Sequence, residues 1–333
     1  MKIFPGVGIE KFRFGLTETD LIQHLGEPDK IVDMKIIERK IYFYNKLMMQ
    51  FSFDTELDGR LAGMTIESPN VYLWGVNVIG MSKDEVSDLV EKHGKYVAEY
   101  EEYDLFEVMN YETLGVEFHF EFDRLNCVEL SVWIDEDDTI IWSNENVLGG
   151  ELPTNSVGEV TMTEAFDGTE LFYPQKNDTD AIRLSVELGI SLGEVFLGET
   201  IADLEMKLGV PDKINDEERD AHIVYYYNHL KAKFYFCSDY DNRLLAIQTF
   251  HPETCLWDRK IIGMGKAELE NLLDEQKIKQ KCYEDYESFD VIFCEEIWAI
   301  FCFCYDKLQS IEFSVVDDVD GQLVWPKVMR GEE

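Results

Sequence analysis

Apolar and polar residues alternate along several stretches of this chain, and the period of that alternation marks its strands. Phe106-Glu107-Val108-Met109-Asn110-Tyr111, Val116-Glu117-Phe118-His119-Phe120-Glu121-Phe122 and Cys127-Val128-Glu129-Leu130-Ser131-Val132-Trp133 change character at nearly every step, as a sheet with one packed and one wet face requires. Ile41-Tyr42-Phe43-Tyr44 and Met49-Gln50-Phe51-Ser52-Phe53 flank Asn45-Lys46, and Leu61 to Ile66 follows Asp58-Gly59. This spacing predicts three antiparallel strands joined by short turns. Ahead of each set the period becomes helical: Leu21 with Leu25, and Val86 with Leu89 and Val90, fall on one helical face. Thr17, Ser82 and Thr200 stand three residues before Asp20, Glu85 and Asp203, the spacing of a capping box; Gly265 with Glu268 is a weaker fourth version. Gly26, Gly94 and Gly209 suit the left-handed residue that ends a helix.

The same elements return at an offset of 183 residues, Thr17 to Thr200. Pro28-Asp29-Lys30-Ile31 recurs as Pro211-Asp212-Lys213-Ile214, Phe51 and Phe53 as Phe234 and Phe236, and Leu73-Trp74 as Leu256-Trp257. Trp74 and Trp257 are read as core between units. The expected fold class is α+β, with tandem duplicated domains, each of two units made of a helix plus an antiparallel three-stranded meander, the helices packed on one face of the sheet. Residues 1–142 form the first repeat domain, 143–183 a connector and 184–333 the second repeat domain. The connector is rich in turn chemistry, such as Gly149-Gly150 and Pro153-Thr154-Asn155-Ser156, with Val160-Thr161-Met162 and Leu171-Phe172-Tyr173 as edge-strand segments.

Charge narrows the choice of partner. Sixty-eight acidic against 30 basic residues give a net charge of −38, which excludes ordinary binding to nucleic-acid phosphates or an anionic membrane. A basic protein is the favoured partner. The seven cysteines have no framework spacing, and the first residues contain no apolar core of a secretory signal, so a cytoplasmic location is expected.

Catalytic chemistry finds little support. The six histidines are scattered without metal-ligand spacing, Gly6 and Gly8 make a poor dinucleotide loop, and Gly263-Met264-Gly265-Lys266 lacks the spacing of a phosphate loop. No enzyme activity, cofactor or metal is expected. Asp135-Glu136-Asp137-Asp138 and Asp317-Asp318-Val319-Asp320 lack the calcium-loop pattern and read as solvated loops. Aromatics and acids interleave at Tyr100, Glu101, Glu102 and Tyr103, and again at Tyr283, Glu284, Asp285 and Tyr286. Tyrosine supplies rigid contact area and carboxylate supplies steering, so these eight residues are the candidate protein-interaction sites.

The motif Gly-x-Thr/Ser, two residues, Asp/Glu-Leu/Val, then Leu-Gly-x-Pro-Asp and aromatic strands resembles the SmpA/OmlA (BamE-like) family and is similar to the tandem plan of the β-lactamase-inhibitor proteins. That resemblance implies a sheet surface that binds another protein. The leading expectation is a non-catalytic binding module, most concretely an immunity or inhibitor protein masking a basic toxin or enzyme. The alternatives are a scaffolding repeat protein with incidental charge, or a small-ligand binder or hydrolase, which would need a deep polar pocket.

Overall fold

The computed structural model describes residues 1–103, 106–134, 139–142, 184–216, 222–317 and 322–326. The chain divides into two compact units, Met1–Gln175 and Lys176–Glu333. The connector 143–183 and its two edge-strand segments lie outside the described residues, as does the acidic run Asp135-Glu136-Asp137-Asp138 and all but Asp317 of its counterpart.

In the first unit, helix α1 (Glu18–Leu25) precedes β1 (Lys30–Met34), β2 (Arg39–Tyr44), β3 (Met49–Asp54) and β4 (Arg60–Ile66). Helix α2 (Lys83–His93) precedes β5 (Glu99–Glu102), β6 (Glu107–Tyr111), β7 (Val116–Glu121) and β8 (Arg124–Ser131). The eight strands form one antiparallel sheet in the order β1-β2-β3-β4-β8-β7-β6-β5, joined at its middle by β8 beside β4. Its two edges are therefore β1 and β5. The second unit repeats the plan: α3 (Ile201–Leu208), then β9 (Lys213–Asp216), β10 (His222–Tyr227), β11 (Ala232–Cys237) and β12 (Arg243–Thr249). After these come α4 (Lys266–Glu275), β13 (Lys281–Asp285), β14 (Asp290–Cys294), β15 (Ala299–Cys304) and β16 (Lys307–Ser314), in the sheet order β9-β10-β11-β12-β16-β15-β14-β13.

This architecture corrects the α+β reading. Two eight-stranded antiparallel sheets dominate, the four helices among the described residues are only 8 to 11 residues long, and each helix is followed by four strands of the large sheet where the sequence pattern predicts three. The extra strand is each time the one that begins the meander and lies at a sheet edge. Lys30–Met34 and Glu99–Glu102 bury no residue fully, so neither shows the alternation that a packed face imposes. Short edge strands of like charge also resist pairing with copies of themselves. The same finding overturns the resemblance to the SmpA/OmlA and β-lactamase-inhibitor folds, whose repeats are small helix-plus-meander units.

The helices are short and gain their stability from packing. Leu21 of α1 and Val86, Leu89 and Val90 of α2 join Phe51, Phe53, Phe118 and Phe120 in one core cluster, so both helices cover the same sheet face. Capping boxes open α1, α2 and α3 through Thr17, Ser82 and Thr200. At α4 the N-cap is Gly265, which offers no side-chain acceptor. Gly26 and Gly209 end α1 and α3 at φ 81° and 83°, but Gly94 after α2 sits at φ 171°, an extended conformation open to any residue. Trp74 and Trp257, read from sequence as core, are half-buried and packed at the rim of their clusters, each at φ 49° in a tight turn.

A register shift recurs at four matching places, between Ser52 and Phe53, His119 and Phe120, Tyr235 and Phe236, and Cys302 and Phe303. Each bulge moves the partner strand by one residue and so decides which of its side chains share a face. The face away from the helices is not simply wet. Phe43, Gln50, Val108 and Cys127 are buried there in the first unit, and Tyr226, Lys233, Gln248 and Ser310 in the second. No helix among the described residues is long and apolar enough to cross a membrane.

Candidate functional site

The eight interaction residues suggested by sequence lie on or beside the two edge strands β5 and β13. Tyr100, Glu101 and Glu102 belong to β5, which pairs only with β6, and every residue of Glu99–Glu102 is exposed. Strand alternation splits the quartet. Tyr100 stands opposite Met109 on the helix-covered face, whereas Glu101 stands opposite Val108 on the outer face. Tyr103 continues the outer row: its ring stacks on Phe106 at 4.9 Å, and its hydroxyl donates to the Glu101 carboxylate. That hydrogen bond holds the Tyr103 hydroxyl above the usual phenol range. In the second unit, Tyr283 stands opposite Ile292, Glu284 opposite Val291 and Asp285 opposite Asp290. Tyr286 stacks on Phe289 at 4.7 Å and donates to Glu284, which raises its pKa by the same means. Each edge thus presents one tyrosine and one carboxylate locked together on the outer face, with a second exposed tyrosine on the other.

Behind Tyr103 and Phe106 the outer row runs inward to a group the sequence reading did not assemble. Phe106 stacks on His119 with ring centroids 5.4 Å apart and planes 9° from parallel. His119 Nε2 lies 3.5 Å from a Glu117 carboxylate oxygen and 3.9 Å from one of Glu129. Glu117 and Glu129 are direct cross-strand partners on β7 and β8. Burial first, and the neighbouring Glu117 second, push the Glu129 carboxyl above the ordinary carboxylate range, while His119 and Arg39 pull it back. The sequence signal was available in part, because Glu117 and His119 are two apart in a strand and must share a face. Glu129 joins them through the bulge alone.

The corresponding positions of the second unit are Ile300, Cys302 and Glu312. Here a buried lysine takes over the electrostatics. Lys233 is 1 % exposed, with Nζ 5.5 Å from the centre of the Tyr226 ring and 4.9 Å from that of Phe250. Burial raises the Glu312 carboxyl and the Lys233 charge opposes that rise. Beside them the Tyr235 hydroxyl donates to Gln248 Oε1 at 3.0 Å, and Gln248 Nε2 donates to Ser310 Oγ at 3.3 Å. Burial drives the Tyr235 hydroxyl upward, so it remains a hydrogen-bond donor at physiological pH.

Elsewhere the histidines are engaged in local structure. His24 and His93 meet the carbonyls of Asp20 and Leu89 through Nδ1, His93 also stacks on Trp74, and His251 accepts from the Glu253 amide. An open recess at the start of α2 is lined by Ser82, Lys83, Asp84, Glu85, Asp123 and Arg124. It mixes both charges, and its serine is already the helix cap.

No family model matches the chain, and no curated protein matches it. Among solved structures, an extracellular protein containing an SCP domain from Bacillus anthracis str. Ames is similar at 13 % identity and a TM-score of 0.26, over 40 % of this chain. The match spans half the length of that protein, and a likeness this low carries no argument about function.

Proposed function

We propose that the chain is a non-catalytic, cytoplasmic protein-binding module that docks a basic protein through the edge strands β5 or β13, in the manner of an immunity or inhibitor protein. The observation that carries this reading is the pair of exposed edge strands bearing Tyr103 with Glu101 and Tyr286 with Glu284. An edge strand offers unpaired backbone donors and acceptors to an extended segment of a partner, and the flanking side chains set its chemistry. Stacking on Phe106 and Phe289 holds the two tyrosines in place, which lowers the ordering cost of a contact. A net charge of −38 favours fast, salt-sensitive encounter with a cationic surface. No disulfide joins the seven cysteines, in keeping with a reducing compartment.

The test is capture of a basic protein from the native cell at low salt, followed by affinity measurement across a salt series for the wild type and for Glu101→Lys combined with Glu284→Lys. The reading requires affinity to fall with salt and to fall again on charge reversal. Binding indifferent to both would leave the scaffold reading, in which the edge acids serve only to prevent self-pairing.

A further inference from the structure

The cross-strand pair Glu117 and Glu129 sets two carboxylates directly opposite each other on β7 and β8, an arrangement that is unfavourable without a cation between them. His119 Nε2 lies 3.5 Å from one carboxylate and 3.9 Å from the other. An imidazolium donating to a carboxylate closes to about 2.7–2.9 Å. His119 does not close to that distance, and its Nε2 is buried with no hydrogen-bond partner among the described residues. Donor atoms that share one metal ion at about 2.0–2.2 Å lie roughly 3.0–3.5 Å from one another. The ligand atoms of Glu117, His119 and Glu129 all lie within 4.8 Å of each other, so a small movement of two glutamate side chains would enclose an ion. The flat stack of Phe106 holds the plane of the imidazole.

We propose that Glu117, His119 and Glu129 form a binding site for a divalent first-row transition ion. One imidazole nitrogen with two carboxylate oxygens suits zinc, manganese or iron better than calcium or magnesium, which take oxygen ligands. Three protein ligands leave further positions for water or for a group from a partner. The second unit serves as a built-in comparison. The same strands there carry Ile300, Cys302 and Glu312, the opposed carboxylates are gone, and Lys233 provides a resident positive charge.

The experiment uses the full chain, stripped with chelator and titrated with Zn²⁺ at moderate ionic strength, read by calorimetry and by ¹⁵N resonances of the histidine rings. One tight equivalent should stand above the weak background of surface acids, and the His119 ring signal should shift with it. His119→Gln and Glu129→Gln should each weaken that equivalent by at least about 10–100-fold, since even outer-sphere changes cost that much. Glu187→Gln, an exposed acid of the second unit, should leave it intact. Transplanting the site by Ile300→Glu, Cys302→His and Lys233→Gln should add a second equivalent. Absence of any tight equivalent, one that survives both ligand substitutions, or a His119 ring that does not respond would overturn the site. If the ligand variants fail to fold, the ring shift and the transplant decide. Because the readout needs no protein partner, its result is independent of the basic-partner reading.

Discussion

Of the four helices among the described residues, α4 alone starts without a side-chain cap, and its counterpart α2 shows what is missing. Ser82 sits at φ −74° and ψ 167°, and its Oγ accepts from the Glu85 amide at 3.3 Å. Gly265 holds nearly the same backbone, φ −68° and ψ 151°, with Glu268 three residues on. A Cβ added at Gly265 would approach nothing closer than the Asp306 carbonyl oxygen at 3.9 Å, an ordinary contact. Gly265→Ser should therefore restore the cap without strain. Serine over glycine at an N-cap contributes a few tenths of a kcal/mol. Restricting the unfolded chain adds about 0.4–1 kcal/mol. A total of about 1 kcal/mol corresponds to a rise of roughly 2–4 °C in the unfolding midpoint of a domain of this size. Two units need not unfold as one transition, so the sharper assay is hydrogen exchange at the Glu268 amide, which should slow about five-fold if it opens with its unit. Ser82→Gly in the first unit should cost a similar amount. An unchanged or faster exchange at Glu268 in Gly265→Ser would refute the reasoning that the caps, and not the packing of Leu269, Leu272 and Leu273 alone, limit the start of this helix.

Three further outcomes follow from the geometry. Phe118→Ala and its counterpart Phe301→Ala, both fully buried, should each cost about 3–5 kcal/mol by denaturant unfolding, and a loss below 1 kcal/mol in either would contradict their central place. Gly115 (φ 63°) and Gly59 (φ 64°) share a left-handed backbone, but a Cβ at Gly115 would meet the Ser131 carbonyl oxygen at 2.7 Å and one at Gly59 would meet nothing. Gly115→Ala should lower the denaturation midpoint clearly more than Gly59→Ala, and equal losses would show that only φ matters. Lys233→Gln should move the Glu312 carboxyl further above its ordinary range, because the opposing cation is removed. A raised carboxyl stabilises fully below its unfolded pKa of about 4.3, and that contribution is lost as pH rises through the folded value. The second unit of this variant should therefore lose stability over a wider span on going from acid to neutral pH. Carboxyl-carbon NMR titration checks the shift, and a downward one would be inconsistent with the assigned role of Lys233.

The parts of the fold that could be read from sequence are those where one face is buried. Phe51 with Phe53 and Phe118 with Phe120 alternate with polar residues because the core admits only every second side chain, and the hydroxyl-to-carboxylate spacing at Thr17, Ser82 and Thr200 marks helix starts for a similarly local reason. Edge strands lack that constraint. Lys30–Met34 and Glu99–Glu102 are strands by hydrogen bonding to a neighbour, a property of the partner and not of the segment, so periodicity alone predicts three strands per meander and an α+β fold. Polar residues at alternate positions of β11 and β12 implied a wet face, yet Lys233 and Gln248 are buried. Sequence places the candidate aromatic and acidic residues together, but not their division between the two faces of each edge strand. Glu129 escaped because a plain hairpin closed at Glu121 and Arg124 would set Glu117 opposite Val128. The bulge between His119 and Phe120 moves Glu129 into that place instead.

That bulge occurs at the same step of all four inner hairpins, and the hairpins Val116–Ser131 and Ala299–Ser314 match in length and register. They share one backbone plan. Their inward side chains match the shared core, while their outward ones differ and answer to different neighbours in each copy. The contrast between a histidine flanked by glutamates in one copy and a cysteine beside a lysine-balanced glutamate in the other is such a difference. Exchanging whole hairpins between the copies should therefore carry the surface chemistry across only if Lys233 and Gln248 on the neighbouring strands move with Glu312 and Ser310.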